Sequence, residues 1–132
     1  MIYIVNYMQG VEYFMKESGE MYLESIYVLC NTKAQVRSID IAEHMNYSKP
    51  SVCRAVGLLK KSGYITVDKN GYISLTDDGI DRANKIFERH TVLTDFLISI
   101  GVSKETADND ACRMEHVISE ETFESLKNFL KK

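Results

Sequence analysis

A helix with a clear start and stop, followed at once by two short β-rich runs around a turn, constrains this 132-residue chain more than any other feature. Ser48 is a good N-cap, and Pro50 is tolerated only in a first helical turn. Val52, Val56, Leu58 and Leu59 then supply an apolar stripe up to Gly63. Directly afterwards Tyr64–Val67 and Tyr72–Leu75 flank Asp68-Lys69-Asn70-Gly71, a strong short-range signal for a hairpin. Upstream, Met21, Tyr22, Ile26 and Leu29 recur at helical spacing from Glu17 to Leu29, with Ser18 placed to cap the start. Ser38 precedes a short amphipathic helix through Met45, and Asn46-Tyr47-Ser48 predicts a tight turn after it. Helix, helix, turn, helix and hairpin in that order make a winged helix-turn-helix, whose helix from Lys49 to Lys61 enters the major groove of double-stranded DNA.

Charge supports that placement. The formal net charge is −3, yet no acidic residue occurs from His44 to Val67, where Lys49, Arg54, Lys60 and Lys61 all fall. Phosphate contacts are local, so this basic island matters more than the sum. Arg54 is the candidate for reading base edges, because N-terminal residues of a recognition helix reach them. Lys49, Ser51 and Lys60 are candidates for phosphate contacts, with Ser48 at the helix start and Arg37 just ahead of the preceding helix in the same set. Lys69 sits at the wing tip, and Pro50 is placed to touch a thymine methyl.

Downstream the chain is acidic and helical. Of its 19 acidic residues, 12 lie from Asp77 onward, which makes this half a better cation surface than a DNA surface. Thr76-Asp77-Asp78 caps a long helix whose apolar positions run from Ile80 to Ile100, ended by Gly101. Ser103 and Ser119 cap two more helices. The apolar surface exceeds what one small core covers, so a homodimer is expected, its two-fold symmetry matching a palindromic operator. The fold class is therefore mainly α with a small β-hairpin wing. The expected domains are an N-terminal extension over 1–16, a DNA-binding domain over 17–75 and a helical dimerisation and metal-binding domain over 76–132.

Within the last domain, Cys112, Glu115 and His116 stand at i, i+3 and i+4, so a helix brings thiol, carboxylate and imidazole to one face where they can share a divalent cation. The same residues also suit the polar side of a surface helix. Three cysteines at wide spacing, with no CxxC pair, argue against a disulfide framework or a zinc ribbon and fit a reducing compartment. Cys30 and Cys53 read as small packing residues. The apolar run Met1–Val5 is too short for a membrane span or a signal peptide, so a cytoplasmic protein without membrane contact is expected. In the extension, Tyr3, Tyr7, Tyr13 and Phe14 predict a helix packed on the dimer, or a segment that frays. No Gly-rich phosphate loop, oxyanion motif or HExxH pattern points to an enzyme.

The run Gly19-Glu20-Met21-Tyr22-Leu23-Glu24-Ser25-Ile26-Tyr27, the Ile41-Ala42 turn motif, Leu75-Thr76, Arg89-His90 and Asp110-Ala111-Cys112-Arg113-Met114-Glu115-His116-Val117 resemble the diphtheria toxin repressor family of metal-dependent regulators. The resemblance spans residues 17 to 131. It implies a regulatory metal site formed by Met21, Cys112, Glu115 and His116, with Glu24 matching a ligand of the manganese-responsive branch and His90 an ancillary-site histidine. Thr94 stands where the iron branch has a glutamate and Asp108 where it has a histidine. Thioether and thiolate favour Fe(II) first, carboxylate brings in Mn(II) second, and Co(II), Ni(II) or Zn(II) are possible surrogates. The implied function is a dimeric, metal-activated repressor of iron or manganese uptake genes. The alternative is a metal-independent or redox-responsive winged-helix regulator with a decayed metal site.

Overall fold

The computed structural model describes residues 18–132, so the expected extension over 1–16 lies outside the described residues. The elements, in order, are α1 (Glu20–Thr32), α2 (Ser38–Met45), α3 (Lys49–Lys61), β1 (Ile65–Val67), β2 (Ile73–Leu75), α4 (Asp77–Ser99), α5 (Lys104–Met114) and α6 (Glu120–Leu130). They fall into two compact units, one ending at Ala83 and the other running from Asn84 to Lys132. Among the described residues no helix is long and apolar enough to cross a membrane.

The first unit is the winged helix. Its core is built from Leu23, Ile26, Ile41, Val52, Leu59, Ile65 and Ile73, one or two from each of α1, α2, α3, β1 and β2, because each amphipathic element has a single apolar side to hide. Asn46 adopts the left-handed conformation (φ 57°) that ends α2, and the side chain of Ser48 accepts a hydrogen bond from the Ser51 amide to start α3. The first helix differs from expectation. The backbone is already helical at Gly19, and no side chain caps the first turn, so Ser18 is not a cap.

In the wing, β1 and β2 pair antiparallel in the register Ile65↔Leu75, Thr66↔Ser74 and Val67↔Ile73. The turn closes through Gly71 N–H to Asp68 O (3.0 Å), and the Asp68 carboxylate accepts from the amides of Asn70 and Tyr72. Of the Asn-Gly pair, only Gly71 (φ 82°) is left-handed. Thr76 links the wing to α4, donating to Gly63 O (2.6 Å) and accepting from Gly79 N–H (3.1 Å). Gly79 is required there, since a Cβ would fall 2.1 Å from Tyr64 O.

Asp40 braces α2, accepting from Lys33 Nζ (2.6 Å) and from the Arg37 amide (2.8 Å). The Lys33 hydrogen bond first, and the Arg37 amide second, hold its carboxyl below the ordinary aspartate value of 3.8. A depressed folded-state value stabilises the fold above the unfolded value and loses that contribution as pH falls through the folded one. Asp40→Asn is therefore expected to lower stability at neutral pH by less than about 1 kcal/mol, since the pair is solvent-screened. The difference from the parent chain should close in acid, as followed by thermal melts across pH.

In the second unit, Ser103 accepts from the Thr106 amide to start α5, and Ser119 from the Thr122 amide to start α6, both as expected. Gly101 (φ 103°) follows the end of α4. Phe96 and Phe129 meet edge to face at 6.0 Å, while Ile98, Ile100, Val117 and Phe129 keep much of their apolar surface exposed.

Candidate metal centre

Helix periodicity delivers the ligands. On α4, His90 continues the buried stripe of Ile86 and Leu93 and is held half-buried. On α5 the stripe Ala107, Ala111 is extended by Glu115 at the next i+4 position, which is fully buried. Cys112 lies one turn before Glu115 at the exposed edge of that face. The ligand atoms of His90, Cys112 and Glu115 all fall within 4.8 Å of one another.

The expected three-residue face is altered at its end. The last residue of α5 is Met114; Glu115 keeps helical dihedrals as the C-cap (φ −59°, ψ −25°), and His116 enters the following turn. His116 thus does not share a helical face with Cys112. It is buried nonetheless, and its Nε2 lies 3.3 Å from Glu115 Oε1, while His90 Nδ1 lies 2.9 Å from Oε2. The carboxylate stands between two imidazoles. Glu115 Oε1 lacks hydrogen-bond geometry to any group, the His116 approach included, which is costly for a buried charged oxygen.

These residues fit a divalent cation. Tetrahedral ligands about 2.0–2.3 Å from a metal stand roughly 3.3–3.8 Å from one another, so ligand atoms already within 4.8 Å of one another need only small shifts to share an ion. Imidazole, thiolate and carboxylate together suit a transition ion. Asp108, one helical turn before Cys112, reaches the other ring nitrogen of His90 at 3.3 Å, the outer position a carboxylate takes behind a ligating histidine. Thr94, also buried, leaves its hydroxyl without a hydrogen-bond partner. The two remaining candidates belong to the first unit: on α1, Met21 is 41% exposed and Glu24 half-buried, one turn apart.

The residues expected to contact DNA are all exposed on the first unit. Lys49, Pro50, Ser51, Arg54 and Lys60 are exposed along α3, opposite the buried Val52, Ala55, Val56 and Leu59. Ser48 is exposed at the helix start, and Lys69 at the wing tip. Arg37 is exposed too, its guanidinium held 4.5 Å over the Tyr72 ring beside the wing. Cys53, expected to pack, is instead exposed on the outer side of α3, because it falls between the buried positions 52 and 55. Gly57 is also exposed on α3, with no other side chain within 4 Å of where its Cβ would stand. Cys30 packs against the core, and burial pushes its thiol pKa up, so it is a poor nucleophile.

A winged helix with exposed basic residues along α3, in a chain whose second unit gathers imidazole, thiol and carboxylate, defines a class of metal-responsive DNA-binding proteins. The family descriptions match accordingly. Residues 15–73 match "Iron dependent repressor, N-terminal DNA binding domain", and residues 76–132 match "Iron dependent repressor, metal binding and dimerisation domain". The chain belongs to this family of metal-dependent transcriptional regulators, the one its sequence resembles, and not to a family of enzymes. It is 32% identical over 120 residues to an uncharacterized HTH-type transcriptional regulator of Methanocaldococcus jannaschii, covering 89% of this chain and 96% of that one. It is also 32% identical over 130 residues to the transcriptional regulator MntR of Escherichia coli, covering 98% and 84%. The structure of the manganese regulator SloR superposes with a TM-score of 0.73 at 28% identity, over 86% of this chain and 53% of SloR. The chain thus spans about half the length of that solved regulator.

Proposed function

We propose that this chain is a metal-activated repressor that binds palindromic operator DNA as a homodimer and controls iron or manganese uptake genes. The observation that carries the reading is Glu115, a fully buried carboxylate set between His90 and His116 with the Cys112 thiol beside it. The proposed ligand set is His90, Cys112, Glu115 and His116. Met21 and Glu24 are retained in it on the sequence resemblance. When bound, a divalent cation supplies the positive charge that offsets the buried carboxylate.

The chain's own residues do the rest. His90 and His116 offer nitrogen donors to the two sides of Glu115, and Asp108 orients the His90 ring from behind. Arg54 is proposed to read a base, while Ser48, Lys49, Ser51, Lys60, Lys69 and Arg37 position the duplex and Pro50 meets a thymine methyl. The proposed domains are 17–75 for DNA and 76–132 for metal and dimer. The exposed Ile98, Ile100, Val117 and Phe129 give the second unit apolar surface that a dimer would cover.

Fe(II) is the proposed ion, because a thiol among the ligands favours it over Mn(II). Mn(II) stands second, supported by the likeness to the manganese regulator SloR. The test is operator affinity at fixed salt, titrated with Fe(II), Mn(II), Co(II), Ni(II) and Zn(II) against a chelated control. A gain of about 5–150-fold on metal binding is expected, the usual range of allosteric coupling. Affinity indifferent to chelator and to every metal overturns the reading, and Mn(II) outranking Fe(II) overturns the choice of ion.

A further inference from the structure

Arg89, next to His90 on α4, takes no part in the ligand set, yet it is held by the turn after α5 and by α6. Its Nη1 donates to the main-chain carbonyls of Glu115 (3.2 Å) and Ile118 (2.9 Å), and its Nη2 to the Glu120 carboxylate (2.7 Å). The guanidinium lies 5.4 Å from the centre of the Phe123 ring, and the side chain is only 18% exposed. The carbonyls at the end of an α-helix have no intrahelical partners, so the exit path of the chain is soft unless something holds them. Here two carbonyls bracket the turn that contains His116.

We infer that Arg89 is a positioning residue for the metal centre, clamping the turn from Glu115 to Ile118 so that Glu115 and His116 are presented to a cation. The inference rests on the metal-binding reading above. Consecutive residues of α4 act on one glutamate, Arg89 fixing its main chain and His90 meeting its carboxylate. Only a planar fork serves both carbonyls and a carboxylate together; a lysine ammonium keeps the charge but not the geometry. Conservative replacement therefore separates charge from clamp.

The test is Co(II) affinity of the full chain, measured by competition with a chromophoric chelator, together with the Co(II) absorption spectrum. Metal-free folding is followed by circular dichroism and melting. Arg89→Lys is expected to weaken Co(II) binding about 10–100-fold, the range for groups that orient ligands, and to change the ligand-field bands. Lys127→Ala is the control, because it breaks another α4–α6 link, Lys127 Nζ to Glu88 (2.5 Å), without touching the turn. It should change affinity by no more than about twofold, well under that range. A folded Arg89→Lys chain with parental affinity and spectrum overturns the clamp, as does an equal loss in Lys127→Ala. If Arg89→Lys does not fold, Arg89→Gln, whose amide NH2 keeps donors for the carbonyls without the charge, is read by the same criteria. A parent chain that binds no Co(II) overturns the metal reading itself and the clamp with it.

Discussion

Glu115→Gln is expected to remove the metal response while leaving the metal-free protein folded and close to its parental stability. The reason is the position of the carboxylate: fully buried, with one oxygen 2.9 Å from His90 Nδ1 and the other 3.3 Å from His116 Nε2 without hydrogen-bond geometry. A buried charge satisfied this incompletely is expensive, and a neutral amide of the same shape relieves that cost while still bonding one imidazole. The two effects offset, so metal-free stability should move by less than about 1 kcal/mol. Metal affinity should fall by more than about 100-fold, beyond the range for outer groups, because a direct ligand is lost. That corresponds to more than about 2.8 kcal/mol. Melting with and without metal reads both quantities. If Glu115 were only half of a buried ion pair, the substitution would instead cost about 3–5 kcal/mol without metal and spare whatever metal response exists.

Arg54→Ala is expected to give the largest change in DNA recognition. Arg54 is exposed near the start of α3, on the face opposite the buried Val52, Ala55 and Val56, where a guanidinium can meet a guanine edge bidentately. Its loss should weaken operator binding by about 1–3 kcal/mol and flatten the preference at one base pair. Lys60→Ala, by contrast, should weaken all sequences alike and lower the salt slope by about one. Fluorescence anisotropy on the operator and its single-base variants, at several salt concentrations, separates the two. A uniform loss with a reduced slope would make Arg54 a phosphate contact.

How much of the molecule is legible in its sequence varies with the distance over which each feature is set. The Ser48, Ser103 and Ser119 caps, the turn after α2 and the hairpin ahead of α4 all stand where the sequence places them, since each depends on neighbours within about ten residues along the chain. Ser18 does not follow its local preference, because the backbone is already helical at Gly19. The cysteines show a further limit. Cys30 and Cys53 look alike as small apolar residues, yet one packs against the core and the other faces outward, a difference of helix rotation that composition cannot reveal.

The metal centre marks the same boundary. The presence of a thiol, a carboxylate and an imidazole around position 112 is a property of the sequence alone, as are the winged order of elements and the basic α3 face. That α5 stops at Met114, sending His116 into a turn, and that Cys112 converges with His90 and Glu115 were decided by tertiary structure. The grip of Arg89 on the Glu115 carbonyl was decided there too. Caps and stripes are governed by the helical repeat, which the chain carries locally. Convergence across the 25 residues between His90 and Glu115 depends on how two helices pack, and no repeat along the chain encodes which oxygen will face which ring.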